Sequence, residues 1–159
     1  MSDRDKLTYE RCRSLLERLL SQLQDSLGED LLAVALFGSV ARGEGRETSD
    51  LDLLIVHRGP PEAMPDRFVE VLRALRQSRE YRSLAGEGFQ PDPYPVFFTG
   101  AQLAKHPWLL LDIVDHGIIL YDREGVLRRE LDRLQQRLRV LGARKVSLPG
   151  GLRKWSSWP

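Results

Sequence analysis

Leucines recur with helical spacing near the start of the chain, at Leu15, Leu16, Leu19, Leu20, Leu23 and Leu27, with Cys12 extending the same side and Gly28 as a natural stop. This predicts a first helix. Leu31 to Phe37 is a short unbroken apolar run, as expected of a buried strand. Gly38 to Ser49, rich in Gly, Ser, Arg and Glu, predicts a turn with room for one helical turn. A second apolar run, Leu51 to Val56, predicts a second buried strand. His57 to Pro65 then reads as a loop broken by Pro60 and Pro61, with His57 a plain loop residue. Phe68, Val71, Leu72 and Leu75 mark a second helix.

Residues 82–95 are expected to be irregular, because Pro91, Pro93 and Pro95 oppose a regular ladder. Val96 to Phe98 predicts a short third strand near a sheet edge. Thr99 is suited to capping a short helix that stops before Pro107. Trp108 to His116 is expected to be helical and Ile118 to Tyr121 extended. Leu127, Leu131, Leu134, Leu138 and Leu141 predict a final helix ending near Gly142. Lys145 to Trp158, around Pro149-Gly150-Gly151, reads as a hairpin or a loose tail. The fold class is α/β (α+β): a small mixed β-sheet flanked by helices. Residues 1–100 form the expected core, and 101–159 a C-terminal helical extension and tail within the same compact unit.

Composition changes this picture little. The 159 residues suffice for one domain with a hydrophobic core, and 42% hydrophobic with 30% charged residues is ordinary for a globular protein. A net charge of +1 does not announce a nucleic-acid binder. The single cysteine, Cys12, excludes an internal disulfide and a cysteine metal cluster, which fits a reducing, cytoplasmic setting. No membrane association is expected: Trp108 to Leu120, the most hydrophobic stretch, is too short to span a bilayer and holds Asp112, Asp115 and His116. It is expected to be buried in the core.

The candidate chemistry lies between Gly38 and Asp52. Asp50 and Asp52, two apart at the start of a strand, point the same way. Unpaired, such carboxylates repel each other and resist desolvation, whereas a hard divalent cation such as Mg²⁺ between them relieves both problems. Gly38 and Ser39 directly follow the other buried strand. A glycine there lets backbone N–H groups approach a phosphate, and the serine hydroxyl can donate to a phosphate oxygen. Arg42 either balances phosphate charge or braces the loop against Glu44 or Glu47. Two-metal sites hold their ions about 3.5–4 Å apart and stabilise both the attacking and the leaving oxygen. The implied reaction is in-line attack on the α-phosphate of a nucleoside triphosphate, with pyrophosphate leaving.

Gly38-Ser39, ten intervening residues, then Asp50-x-Asp52 is similar to the signature of the DNA polymerase β-like nucleotidyltransferase superfamily. The fuller Gly-Ser-x-Ala-Arg-Gly of residues 38–43, with Ser-Asp-x-Asp-Leu at 49–53, resembles its minimal nucleotidyltransferase branch. That branch includes MntA-type antitoxins paired with HEPN-domain toxins. The resemblance implies a nucleotidyltransferase fold, Mg²⁺ (one or two ions), ATP or another nucleoside triphosphate as substrate, and a HEPN-type partner protein. It implies triphosphate binding for Ser39 and metal binding for Asp50 and Asp52.

The superfamily usually carries a third carboxylate on a later strand, and Val96 to Phe98 has no acid. Asp92 is the nearest candidate for that catalytic role, with Glu87 further off; Tyr94 is a poor Mg²⁺ ligand. Two functions therefore stand side by side: transfer of a nucleoside monophosphate, AMP from ATP, onto an acceptor hydroxyl, or a catalytically weakened module that binds nucleotide or a toxin. His106 and His116 are isolated and read as structural; Asp112 and Asp115 are expected to cap or to pair with basic residues. Trp108, Trp155 and Trp158 are expected to pack. From residue 121 onward ten Arg or Lys outnumber four Asp or Glu, which suits a solvated helix face more simply than RNA or an acidic partner.

Overall fold

Helix α1 (Tyr9–Leu27) forms on the predicted leucine stripe: Cys12, Leu15, Leu16, Leu19, Leu23 and Leu27 are all buried. Thr8 caps its start by accepting from the Arg11 N–H, and Gly28, at φ +51°, ends it by donating to the Gln24 carbonyl. The computed structural model describes residues 2–147 and 153–156. Four strands follow in one mixed sheet: β1 (Leu31–Phe37), β2 (Leu51–His57), β3 (Pro93–Thr99) and β4 (Ile118–Asp122), in spatial order β3-β2-β1-β4. β1 runs antiparallel to β2 and β4, and β2 parallel to β3.

Helices cover both faces. α1, α3 (Met64–Arg76) and α4 (Arg79–Gly86) pack on one side, against Leu51, Leu53 and Ile55 of β2. α5 (Gly100–Ala104), α6 (Leu110–His116) and α7 (Val126–Val140) supply Leu103, Leu110, Ile113, Leu127, Leu131 and Leu134 to the other side, against Leu54 and Val56. The apolar runs are thus strands buried on both faces, and their two residue parities address two different layers. Each fully buried leucine contributes about 1.5–3 kcal/mol. The sheet spans the division at residue 100, because β4 pairs with β1. Among the described residues no helix is long and apolar enough to cross a membrane.

Four expectations are corrected. Residues 82–95 are not irregular throughout: α4 is capped by Ser78, whose hydroxyl accepts from the Tyr81 N–H, and β3 begins at Pro93. The prolines fit because β3 is an edge strand. The Asp92 carbonyl accepts from the Leu51 N–H, so even-numbered residues face β2 and the missing N–H groups of Pro93 and Pro95 face the open edge. His57 is no loop residue; it ends β2, paired with Leu31 and Thr99, and is 1% exposed. The ladder continues through it on both sides, and its ring meets Phe97 edge-on. The expected loop also stops short of Pro65, which lies in the first turn of α3, where a missing N–H costs nothing.

Trp108 does not pack: it is 82% exposed, since the inward stripe of this segment is Leu109, Leu110 and Ile113. The expectations for Trp158 and for the Trp155 side chain lie outside what the structure describes. Thr99 caps α5 in a reciprocal pair with Gln102. A terminal hairpin is present, with β5 (Arg144–Ser147) antiparallel to β6 (Arg153–Ser156); the Pro149-Gly150-Gly151 stretch between them lies outside the described residues.

Candidate active site

The site is set by one register. Phe37, the last residue of β1, pairs with Asp52 of β2, so the turn that follows Phe37 is delivered beside the Asp52 carboxylate. That turn is the single-turn helix α2 (Gly38–Ala41). Gly38 has φ +75°, and a Cβ there would lie 2.0 Å from Asp52 Oδ2. Only glycine fits this position, on both backbone and steric grounds. Val40 is buried and anchors the turn, while the Arg42 N–H donates to the Gly38 carbonyl (3.1 Å) and the Glu44 N–H to the Ser39 carbonyl (2.8 Å). Further along, Gly45 bridges to Leu7 and the Ser49 hydroxyl accepts from the Arg46 N–H, so the polar loop is held at several points.

Asp50 and Asp52 share the parity of Leu54 and Val56 and therefore face the α5–α7 side of the sheet. Asp50 is exposed and Asp52 half-buried. Burial pushes the Asp52 carboxyl above its ordinary value, the charges of Asp50 and Asp112 push it further, and Arg42 pulls it back. Burial is the larger cause and the neighbouring acids the smaller.

Arg42 meets Glu44, one of its two expected bracing partners, and also a partner the sequence did not connect to it. Its Nε donates to Glu44 Oε2 (3.1 Å), and its Nη1 donates to Asp112 Oδ2 (3.1 Å) and Oδ1 (3.3 Å). The Gly38 N–H also donates to Asp112 Oδ2, at 3.1 Å. Asp112 thus caps and pairs as expected, but with the candidate phosphate turn itself. Only the fold shows this, because 74 residues separate it from Gly38. Ser39 sits in the same turn, and among the described residues its hydroxyl meets no hydrogen-bond partner.

The structure does not bring Asp92 to the acid pair. Its Oδ1 accepts from the Tyr81 hydroxyl (2.8 Å) and from Arg76 Nε (3.1 Å), both on the α1–α3–α4 side of the sheet. The residue in register with Asp52 on β3 is Tyr94, on the same face and 62% exposed. Asp92→Asn is accordingly expected to leave activity within about threefold while costing about 1 kcal/mol of stability, the ordinary worth of one charged hydrogen-bond set. Parallel rate assays and thermal melts check this, and an activity loss approaching that of an Asp52 variant would reinstate Asp92 in the chemistry.

His106, Asp115 and His116 pair away from the site. His106 Nε2 meets Glu130 Oε2 at 2.9 Å, and Lys145 joins Asp115 (2.8 Å) and His116 (3.3 Å). Cys12 is buried in the core, which raises its thiol to about 12 and leaves it inert.

No described group of three or more His, Cys, Asp or Glu side chains forms a ready-made cation cage. The donor set fits a magnesium-type ion nonetheless. Such an ion takes one or two carboxylates and completes its shell with waters and substrate phosphates. Asp50 and Asp52 are two hard oxygen donors whose mutual repulsion a cation would remove.

The model of the nucleotidyltransferase domain family matches residues 15–146. A protein of Methanocaldococcus jannaschii, provisionally named a protein adenylyltransferase, is 31% identical over 122 residues, covering 77% of this chain and 80% of that protein. Among solved structures, a spectinomycin adenyltransferase from Enterococcus faecialis, crystallised with ATP and spectinomycin, gives a TM-score of 0.51 at 13% identity, covering 82% of this chain and 67% of that one. At that identity the likeness speaks for the fold alone. A Shewanella oneidensis complex of a tri-AMPylated HEPN toxin with its MNT antitoxin matches with a TM-score of 0.45 and 15% identity, over 82% of this chain and 92% of that one. With a family match across most of its length and a relative sharing nearly a third of the aligned residues, the chain belongs to the nucleotidyltransferase family.

Proposed function

We propose that this nucleotidyltransferase moves AMP from ATP onto a hydroxyl of a partner protein, in a step that needs Mg²⁺. The observation that carries the reading is the Phe37–Asp52 register, which sets the Gly38-Ser39 turn against the Asp50–Asp52 pair. In the reaction the acceptor oxygen bonds to the α-phosphorus as the bond to the β-phosphate oxygen breaks. Pyrophosphate leaves, and the hydroxyl proton passes to solvent or a nearby base.

Each residue has a part in this reading. The Gly38 and Ser39 N–H groups and the Ser39 hydroxyl hold the phosphates, and Arg42 offers a guanidinium at the edge of the same turn. Asp50 and Asp52 hold the cation. A divalent ion bound there neutralises the two acids and draws charge from the phosphate oxygens. The M. jannaschii relative supports a protein as acceptor, and the sequence signature supports a HEPN-type protein as the partner that carries the hydroxyl.

Incubation with α-labelled ATP, Mg²⁺ and a HEPN-type partner is expected to label the partner, and Asp50→Ala to abolish the label. Label transfer that persists in Asp50→Ala would reject the assignment. One observation favours a second reading, a nucleotide- or toxin-binding module with weakened catalysis: the strand slot beside Asp52 holds Tyr94 in place of an acid. Calorimetric binding of ATP with Mg²⁺, with no pyrophosphate released in the presence of any partner, would select it.

A further inference from the structure

The two donors best placed to receive a phosphate are already taken. The Gly38 N–H and Arg42 Nη1 both donate to the carboxylate of Asp112, Oδ2 accepting from each at 3.1 Å. A carboxylate and a phosphate oxygen are alike to these groups: each is an anionic acceptor, and guanidinium matches both. Asp112 comes from α6, whose Leu110 and Ile113 are buried and fix the helix against β1 and β2, so the carboxylate is held at the turn by a rigid support. It is not sealed in: 28% of the side chain is exposed, leaving a path into solvent. Asp52 flanks the same turn from the other strand, for a Cβ on Gly38 would lie 2.0 Å from its Oδ2, so Gly38 is enclosed by two carboxylates. A triphosphate would bring further negative charge to the same place.

We propose that Asp112 is an internal stand-in for phosphate, which the nucleotide must displace from Gly38 and Arg42 in order to bind. This rests on the reading of the Gly38-Ser39 turn as the phosphate cradle. Measured affinity is then the gain from phosphate contacts less the loss of the Asp112 contacts. Ligands with few phosphate contacts recover little of that loss. The loss is the same for every ligand that displaces Asp112, so it lowers the affinity for metal-bound triphosphate and for inorganic phosphate alike.

A brace and a competitor predict opposite signs. If Asp112 only stiffens the turn, its removal weakens nucleotide binding. If it competes, removal strengthens binding. Titration calorimetry with ATP and Mg²⁺, and separately with inorganic phosphate, should show Asp112→Asn and Asp112→Ala binding each at least about tenfold more tightly than the unaltered chain, equivalent to the loss of ~1.4 kcal/mol of competition. Unchanged or weaker binding in folded variants, with the unaltered chain still binding ATP, overturns this inference and leaves the cradle intact. No nucleotide binding by the unaltered chain or either variant brings down both.

The unaltered protein gives a second reading that needs no variant to fold. The carboxyl carbon resonance of Asp112 should move toward that of a solvated aspartate as ATP and Mg²⁺ are added. A resonance that stays put at saturating nucleotide refutes displacement.

Discussion

Asp52→Asn is expected to cut nucleotidyl transfer by about 10³-fold or more and, in the absence of metal, to raise the melting temperature. The two effects share one cause. Removing a preorganised charge that acts on the transition state costs about 10²–10³ in rate, and losing one of the two proposed carboxylate donors for the cation adds to that. The stability effect has the opposite sign. The folded-state pKa of Asp52 is raised, chiefly by burial and then by Asp50. Below the ordinary carboxylate range both states are protonated and nothing is lost. As pH rises through that range toward the raised value the unfolded chain ionises first, so stability falls, and the full cost remains at neutral pH. Asparagine removes the charge, so the melting temperature at neutral pH rises. Thermal melts across pH check the sign. Mg²⁺ should stabilise the unaltered chain by binding its folded form and leave Asp52→Asn unmoved. A variant that melts earlier at neutral pH, or keeps full transfer activity, would show that Asp52 does not sit in a repulsive, metal-binding pair.

Gly38→Ala is expected to damage both fold and site. An L-residue at φ +75° costs about 1–2 kcal/mol in backbone strain. The new Cβ would sit 2.0 Å from Asp52 Oδ2 and 2.9 Å from its Cγ, so the carboxylate must move or the turn must open. Overpacking of this kind adds about 1–3 kcal/mol, bringing the total to roughly 3 kcal/mol and a fall of roughly 6–12 °C in melting temperature. Activity should fall by about 10² or more even in the fraction that folds, because the displaced group is a proposed metal ligand. Gly43→Ala is the control: its φ is also +75°, but nothing lies within 4 Å of its added Cβ. It should show the backbone strain alone and keep most of its activity. Equal losses in the two variants would mean that the Gly38–Asp52 approach has no bearing on the chemistry.

Elements whose pattern is periodic and whose ends carry a chemical stop were legible along the chain. α1 ends at Gly28, α5 begins on the Thr99–Gln102 capping pair, and both buried strands lie within a residue of their expected bounds. The prolines of the 91–95 stretch misled because proline reports a missing donor and not the side of the strand on which a donor is needed. β3 is an edge strand whose odd-numbered residues turn their backbone groups to the open edge, so the ladder to β2 loses nothing. α4 was missed for want of a long stripe: Leu84 is its only buried residue, and Ser78 starts it. Trp108 misled because size and apolarity do not state a phase, and one residue later the inward stripe begins.

Residue types and spacing along the chain determined the family signature, the two acids on one strand face and the small polar turn before them. Those features are local: two positions on one strand share a face whatever the rest of the molecule does. Tertiary structure decided which groups meet that local unit. Antiparallel pairing of β1 with β2 set Gly38 against Asp52, parallel pairing of β2 with β3 set Tyr94 beside it, and the packing of α6 brought Asp112 across 74 residues to the Gly38 N–H. Asp92, one residue before β3, went instead to Arg76 and Tyr81 on the opposite side of the sheet. Distance along a chain does not fix distance in space once a sheet and two helical layers close around it, so the company each acid keeps is a property of the fold.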